Sequence, residues 1–181
     1  MNNFFKLIKK IQASYSQEKQ ISDKIVSLWL YHVLRPLSFF LTPIFLKLHI
    51  SANFATFIGV IIGVFSIIAS ASGYLLTGSL LYNLFHIIDC VDGNIARIKE
   101  SSKKGEYYDA ISGDFVNYLF LPSIAFGIQF EKVFFFDNYF LSQHLFSISL
   151  IASIFFLLTT LASQRKKIIF SEKGILRLTN K

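Results

Sequence analysis

Cysteine is nearly missing from this chain of 181 residues: Cys90 stands alone. An intramolecular disulfide is therefore excluded, and cysteine usage says nothing about redox compartment. Histidine is sparse as well. His32, His49, His86 and His144 are scattered, so no His/Cys set offers a zinc site. Acid is scarce, with 11 Asp and Glu against 18 Lys and Arg. The N-terminus lacks the h-region of a cleavable signal, because Lys6, Lys9 and Lys10 break its short apolar stretch. There are only three prolines. No internal repeat or low-complexity linker is visible, and the length suits one domain.

Apolar residues are plentiful. The chain is 53% hydrophobic, holds 21 phenylalanines and has a mean hydropathy of +0.51. These values belong to the membrane class. A net charge of +7 would suit nucleic acid, but its distribution excludes that partner. Seventeen of the 18 Lys and Arg fall in residues 1–52, 97–104 and 165–181; only Lys132 lies elsewhere. Basic blocks between apolar spans mark cytoplasmic segments.

The expected fold is all-α, a polytopic membrane helical bundle with about four spans after an N-terminal interfacial helix. Residues 1–24 read as a basic amphipathic arm, with Phe4, Phe5, Ile8 and Ile11 at helical spacing, able to lie on an anionic leaflet or to stay solvated. Residues 25–48 are long enough to span. However, Arg35-Pro36 sits mid-run, and spanning would carry five N-terminal lysines away from the other basic blocks. An interfacial helix bent at Pro36 is expected instead.

Spans are expected at about 53–74, 77–98, 106–130 and 141–163, with a Ser72-Gly73 turn after the first. Gly59 and Gly63 should let a neighbouring helix approach closely. The domain reading is a cytoplasmic arm over 1–52, a transmembrane bundle over 53–167 and a cytoplasmic tail over 168–181. Both ends and any active site then face the cytoplasm of a bacterial inner membrane.

Four aspartates interrupt these apolar stretches: Asp89, Asp92, Asp109 and Asp114. An ionised carboxylate at membrane depth is costly and marks a functional site by default. At roughly 100° per residue, Asp89, Asp92, Gly93, Ala96 and Arg97 share one helical stripe. Carboxylates three residues apart can share a metal, and hard oxygen ligands suit Mg2+ or Mn2+. Glycine and alanine leave room for a ligand against the backbone, and Arg97 can meet a phosphate.

The run Asp89-x-x-Asp92-Gly93-x-x-Ala96-Arg97, then Gly105-x-x-x-Asp109 and Asp114, resembles the signature of the CDP-alcohol phosphotransferase family. The likeness extends upstream to Arg35-Pro36-Leu37, which is similar to the family's interfacial helix. It also includes Asn53 and Thr56, which open the first span; Ala52 stands where the family usually has proline. The resemblance implies an integral membrane enzyme of phospholipid synthesis, a homodimer, that moves a phosphatidyl or phospho-alcohol group from a CDP-linked donor to an acceptor alcohol and releases CMP. CDP-diacylglycerol is the expected donor.

It further implies two metal ions on Asp89, Asp92, Asp109 and Asp114, with Asp114 as general base. Asp89, Asp92, Gly93, Ala96, Arg97, Gly105, Asn53 and Thr56 would contact the donor, and Arg165 and Lys104 the acceptor's phosphate. Two departures stand out. Seven residues separate Arg97 from Gly105 and four separate Asp109 from Asp114, where the family has eight and three. In a straight helix Asp114 then points roughly 140° from Asp109, and Gly113 takes the base position. A π-bulge near Ser112-Gly113 would restore Asp114. The family also has six spans where four are visible here. The alternatives are an impaired relative that binds CDP-lipid without turnover, and an ion-coupled carrier.

Overall fold

The computed structural model describes residues 2–99, 103–130 and 144–161. Every element among them is helical: α1 (Asn2–Ala13), α2 (Gln17–Val26), α3 (Arg35–Lys47), α4 (Ala52–Ala71), α5 (Leu75–Lys99), α6 (Lys103–Phe130) and α7 (His144–Leu161). The all-α membrane bundle is thus the observed class.

α4, residues 107–128 of α6, and α7 are each long and apolar enough to cross a membrane. The expected second span corresponds to α5, which has 25 residues and a length of about 37 Å. It is not among those apolar enough, because Asn83, His86, Asp89 and Asp92 interrupt it. Asp92 and Asn94 are buried against neighbouring helices, and a helix covered by protein need not be apolar all round.

α4 is the central element, packed against both α5 and α6. Small residues face these partners: Ala55, Gly59, Gly63, Ser66 and Ser70 are its buried positions. A Cβ on Gly59 would meet Ile88 at 3.3 Å, and one on Gly63 would meet Val116 at 2.6 Å. The close approach expected at these glycines is therefore realised, against α5 and α6. Ser51 caps α4 by accepting from the Phe54 N–H. At its far end Gly73 adopts φ 88°, and the Tyr74 N–H reaches back to the Ala69 carbonyl. This left-handed helix stop suits glycine and is the Ser72-Gly73 turn read from sequence.

The N-terminal arm is folded onto the bundle. Ile8 and Ile11 of α1 are buried with Tyr15 and Phe39, and Ile98 at the end of α5 packs against them. The helical stripe was legible, but protein covers it, leaving Phe5 as its exposed member. Just before Pro36, where a bend is expected, the chain forms a π-type turn at Leu30–Leu34 in which the Arg35 N–H bonds to the Leu30 carbonyl. Proline cannot donate and its ring crowds the carbonyl four residues back, here His32, so the preceding turn widens.

α3 has 13 residues, too few to span. Its buried face carries Arg35, Ser38, Phe39, Thr42 and Pro43, while Leu37, Phe40, Ile44 and Leu48 are exposed on the other. An outward apolar stripe on a helix too short to span suits a helix lying along a membrane surface.

Candidate active site

α5 and α6 are joined below the aspartates by Tyr82. Its ring stacks on Phe120 at 3.7 Å between centroids, and its hydroxyl donates to Asn117 Oδ1 at 2.8 Å. Above this cross-link, Asp89 and Asp92 from α5 meet Asp109 from α6, one carboxylate oxygen of each lying within 4.8 Å of the others. Asp92 is 3% exposed. The Thr56 hydroxyl donates to Asp92 Oδ2 at 2.7 Å, the shorter of its two contacts, the other being the Ala52 carbonyl at 3.1 Å.

The ion pairs among the described residues go to Asp23, on α2, and not to this group. Three carboxylates this close, buried or half-buried and without a paired cation, repel one another. A hard divalent ion relieves that repulsion, and an all-oxygen donor set fits Mg2+ or Mn2+. Arg97 does not pair with these carboxylates. Arg97 donates instead to Asn94 Oδ1 at 2.5 Å, and its buried Nε has no partner among the described residues.

Gly93 lies beside that guanidinium: a Cβ there would come 3.6 Å from Arg97 Nη1. The bare flank of α5 and the arginine thus share one side of the helix. Ala96 is half-buried and Gly105 buried, while Asn53 is exposed near the start of α4. Cys90 is buried and packs as a small apolar residue.

Asp114 is not in the carboxylate group. α6 runs as an unbroken α-helix through Ser112 and Gly113, so the expected π-bulge is not formed. Gly113 faces the site, with its Cβ position 3.9 Å from Asp89 Oδ1. The one-residue offset read from the sequence therefore has the geometric result that helical periodicity dictates. The Lys104 side chain and Arg165, expected at the acceptor's phosphate, lie outside the described residues, as do the 131–143 connection and the tail.

Several supporting residues carried no signal that the motif reading used. Asp23 accepts from Tyr15 Oη at 2.9 Å and from Arg35 Nε at 2.8 Å, with Lys19 Nζ at 3.1 Å from its other oxygen. Arg35 also lies over the Tyr15 ring at 5.1 Å. Asn94 is fully buried and donates to Ser38 Oγ at 3.1 Å and Thr42 Oγ1 at 2.9 Å. The available hint was Ser38 and Thr42, one turn apart on the face of α3 opposite its apolar stripe.

A family model described as CDP-alcohol phosphatidyltransferase matches residues 49–174. The "Bifunctional IPC transferase and DIPP synthase" of Archaeoglobus fulgidus is 44% identical over 77 residues, 42% of this chain. The match spans 16% of that protein's length. No solved structure matches the chain.

Proposed function

The chain belongs to the CDP-alcohol phosphatidyltransferase family, and from that premise we propose that it transfers a phosphatidyl or phospho-alcohol group from a CDP-linked donor to an acceptor hydroxyl, releasing CMP. CDP-diacylglycerol is the proposed donor, and the product a phospholipid or its precursor. The observation that carries this reading is the convergence of Asp89, Asp92 and Asp109 from two helices, beside the bare flank of Gly93 and the free Nε of Arg97.

In this reading Asp89, Asp92 and Asp109 hold Mg2+ or Mn2+. When bound, the metal supplies Lewis-acid charge that neutralises the pyrophosphate. Thr56 holds Asp92 in one orientation. Gly93 and Ala96 let the nucleotide lie against α5, and Arg97 donates to a phosphate oxygen, as a preorganised cation at a phosphoryl-transfer site does. Asn53 and Gly105 line the donor site. Asp114 is the proposed base and fourth ligand, a role that requires α6 to turn it toward the acceptor. The homodimer, the membrane location and the cytoplasmic face of the site belong to the same proposal.

The test uses membranes carrying the chain, labelled CDP-diacylglycerol and Mn2+, with inositol phosphate, glycerol phosphate and serine as acceptors. CMP release and a new labelled lipid are expected. Asp92→Asn should lower release about a hundredfold or more, the scale of losing an electrostatic group at such a site. Equal release from Asp92→Asn would sink the mechanism. A second reading, donor binding without turnover, is favoured by the position of Asp114 outside the carboxylate group. It predicts CDP binding with no labelled product from any acceptor.

A further inference from the structure

The hydrogen-bond polarity around Asn94 is fixed by α3. The Ser38 hydroxyl donates to the Arg35 carbonyl at 2.7 Å, and the Thr42 hydroxyl donates to the Ser38 carbonyl at 2.7 Å. Each hydroxyl has one proton, so both present only lone pairs to α5. Asn94 must then turn its NH2 group to α3, where it meets both oxygens. Its carbonyl oxygen is left facing the other way, onto Arg97 Nη2. Ser38, Thr42 and Asn94 are each 0% exposed, so water does not compete for these bonds.

We propose that Asn94 is a positioning residue for the donor site: anchored by Ser38 and Thr42, it holds the Arg97 guanidinium beside Gly93 so that Nη1, the nitrogen next to that bare flank, meets the donor's phosphates. The inference rests on the proposed function, since Arg97 needs an anionic donor to act on. Its physical basis is ordering. A free arginine near a helix end loses much rotamer freedom when it binds. An arginine already held by a buried amide has lost that freedom beforehand, which strengthens binding without a new contact. The amide is specifically suited: an aspartate at 94 would turn an oxygen onto the lone pairs of Ser38 and Thr42, and an alanine would leave both hydroxyl oxygens and Arg97 without their partner.

The test is CDP binding with Mn2+ to the detergent-solubilised full chain, by calorimetry, with thermal unfolding recorded for every variant. Asn94→Ala should weaken CDP about tenfold, the worth of one hydrogen bond to a charged group. Arg97→Ala should weaken it at least as much. In the double variant the asparagine change should add nothing further, because Asn94 acts through Arg97. Thr42→Val, which lacks the acceptor, should weaken CDP in the same direction, and Thr42→Ser, which keeps it, should restore parental binding. This pair decides the matter if Asn94→Ala does not fold.

Parental affinity in Asn94→Ala or Thr42→Val overturns the inference. So does an effect of Asn94→Ala that persists undiminished without Arg97. A parent chain that binds no CDP overturns the proposed function, and this inference with it.

Discussion

Thr56 and Gly113 show how single residues set the site. Thr56, expected from the sequence to open the first span and contact the donor, donates to Asp92 Oδ2. A hydrogen bond that orients a metal-binding carboxylate is typically worth about 10–100-fold in metal affinity. Thr56→Val should therefore weaken Mn2+ binding by that factor, measured by calorimetry, with the fold retained. Gly113 has its Cβ position 3.9 Å from Asp89 Oδ1. Gly113→Asp adds a carboxylate where the family spacing, counted from Asp109, places the base. If the parent chain is limited by a missing base, CMP release should rise about a hundredfold, the usual contribution of general base catalysis. An unchanged rate would leave the base to be supplied from Asp114 or elsewhere. At this scale the motif aspartates were legible because helical period alone puts Asp89 and Asp92 on one stripe. Asn94, Ser38 and Thr42 were not, because a buried hydrogen bond between helices leaves no period in either sequence.

Among the elements, the N-terminal arm and the α4 crossing are held by different physics. The arm is tied by a buried charge. Burial pushes the Asp23 carboxyl up, but Arg35, the Tyr15 hydroxyl and Lys19 outweigh it and hold the group below its ordinary 3.8. A depressed carboxylate stabilises the docked arm fully above pH 3.8 and loses that contribution as pH falls through its lower folded value. Burial first, then the Asp23 contact, raises Tyr15 from 10.0 to about 12. Its contribution is complete below pH 10 and disappears as pH rises to about 12. Trp29, the chain's single tryptophan, bonds through Nε1 to Asn83 Oδ1 on α5 at 2.9 Å. Its fluorescence should report the arm's release below pH 3.8, and Asp23→Asn should remove that acid step.

The α4 crossing depends on the absence of side chains. A Cβ on Gly127 would run into the Ser70 carbonyl, which is backbone and cannot rotate away. Gly127→Ala should destabilise the bundle by about 1–3 kcal/mol, the cost of overpacking, read as a lower thermal midpoint in detergent. An unchanged midpoint would show that α6 can slide along α4. Gly59 and Gly63 were recognisable from their four-residue spacing. Gly78 and Gly127, which both meet Ser70, were not, since neither has a second glycine four residues away in its helix.

At the scale of the whole molecule, the basic blocks and the aspartates should face one side of the membrane. The proposed orientation puts α1 and the carboxylate end of α5 on the cytoplasmic side and the turn at 72–74 on the other. Cysteine introduced at Asn2 and at Tyr74 should be labelled by a membrane-impermeant maleimide from opposite sides of sealed vesicles. Tyr74 is exposed, and native Cys90 is buried, so background labelling is low. Labelling of both from the same side would refute the topology.

The sequence by itself determined the membrane class, the helical architecture and the identity of the acidic motif. Each is a property of composition or of a period within one segment, and solvent and lipid act on those directly. Tertiary structure decided which carboxylates meet, that Asp114 stands outside their group, that the arm's apolar stripe is covered by α3, and that Arg97 is held by Asn94. These outcomes depend on how far one helix slides and turns against another. Side chains from different segments set that together, through close packing at α4 and buried hydrogen bonds between α3 and α5.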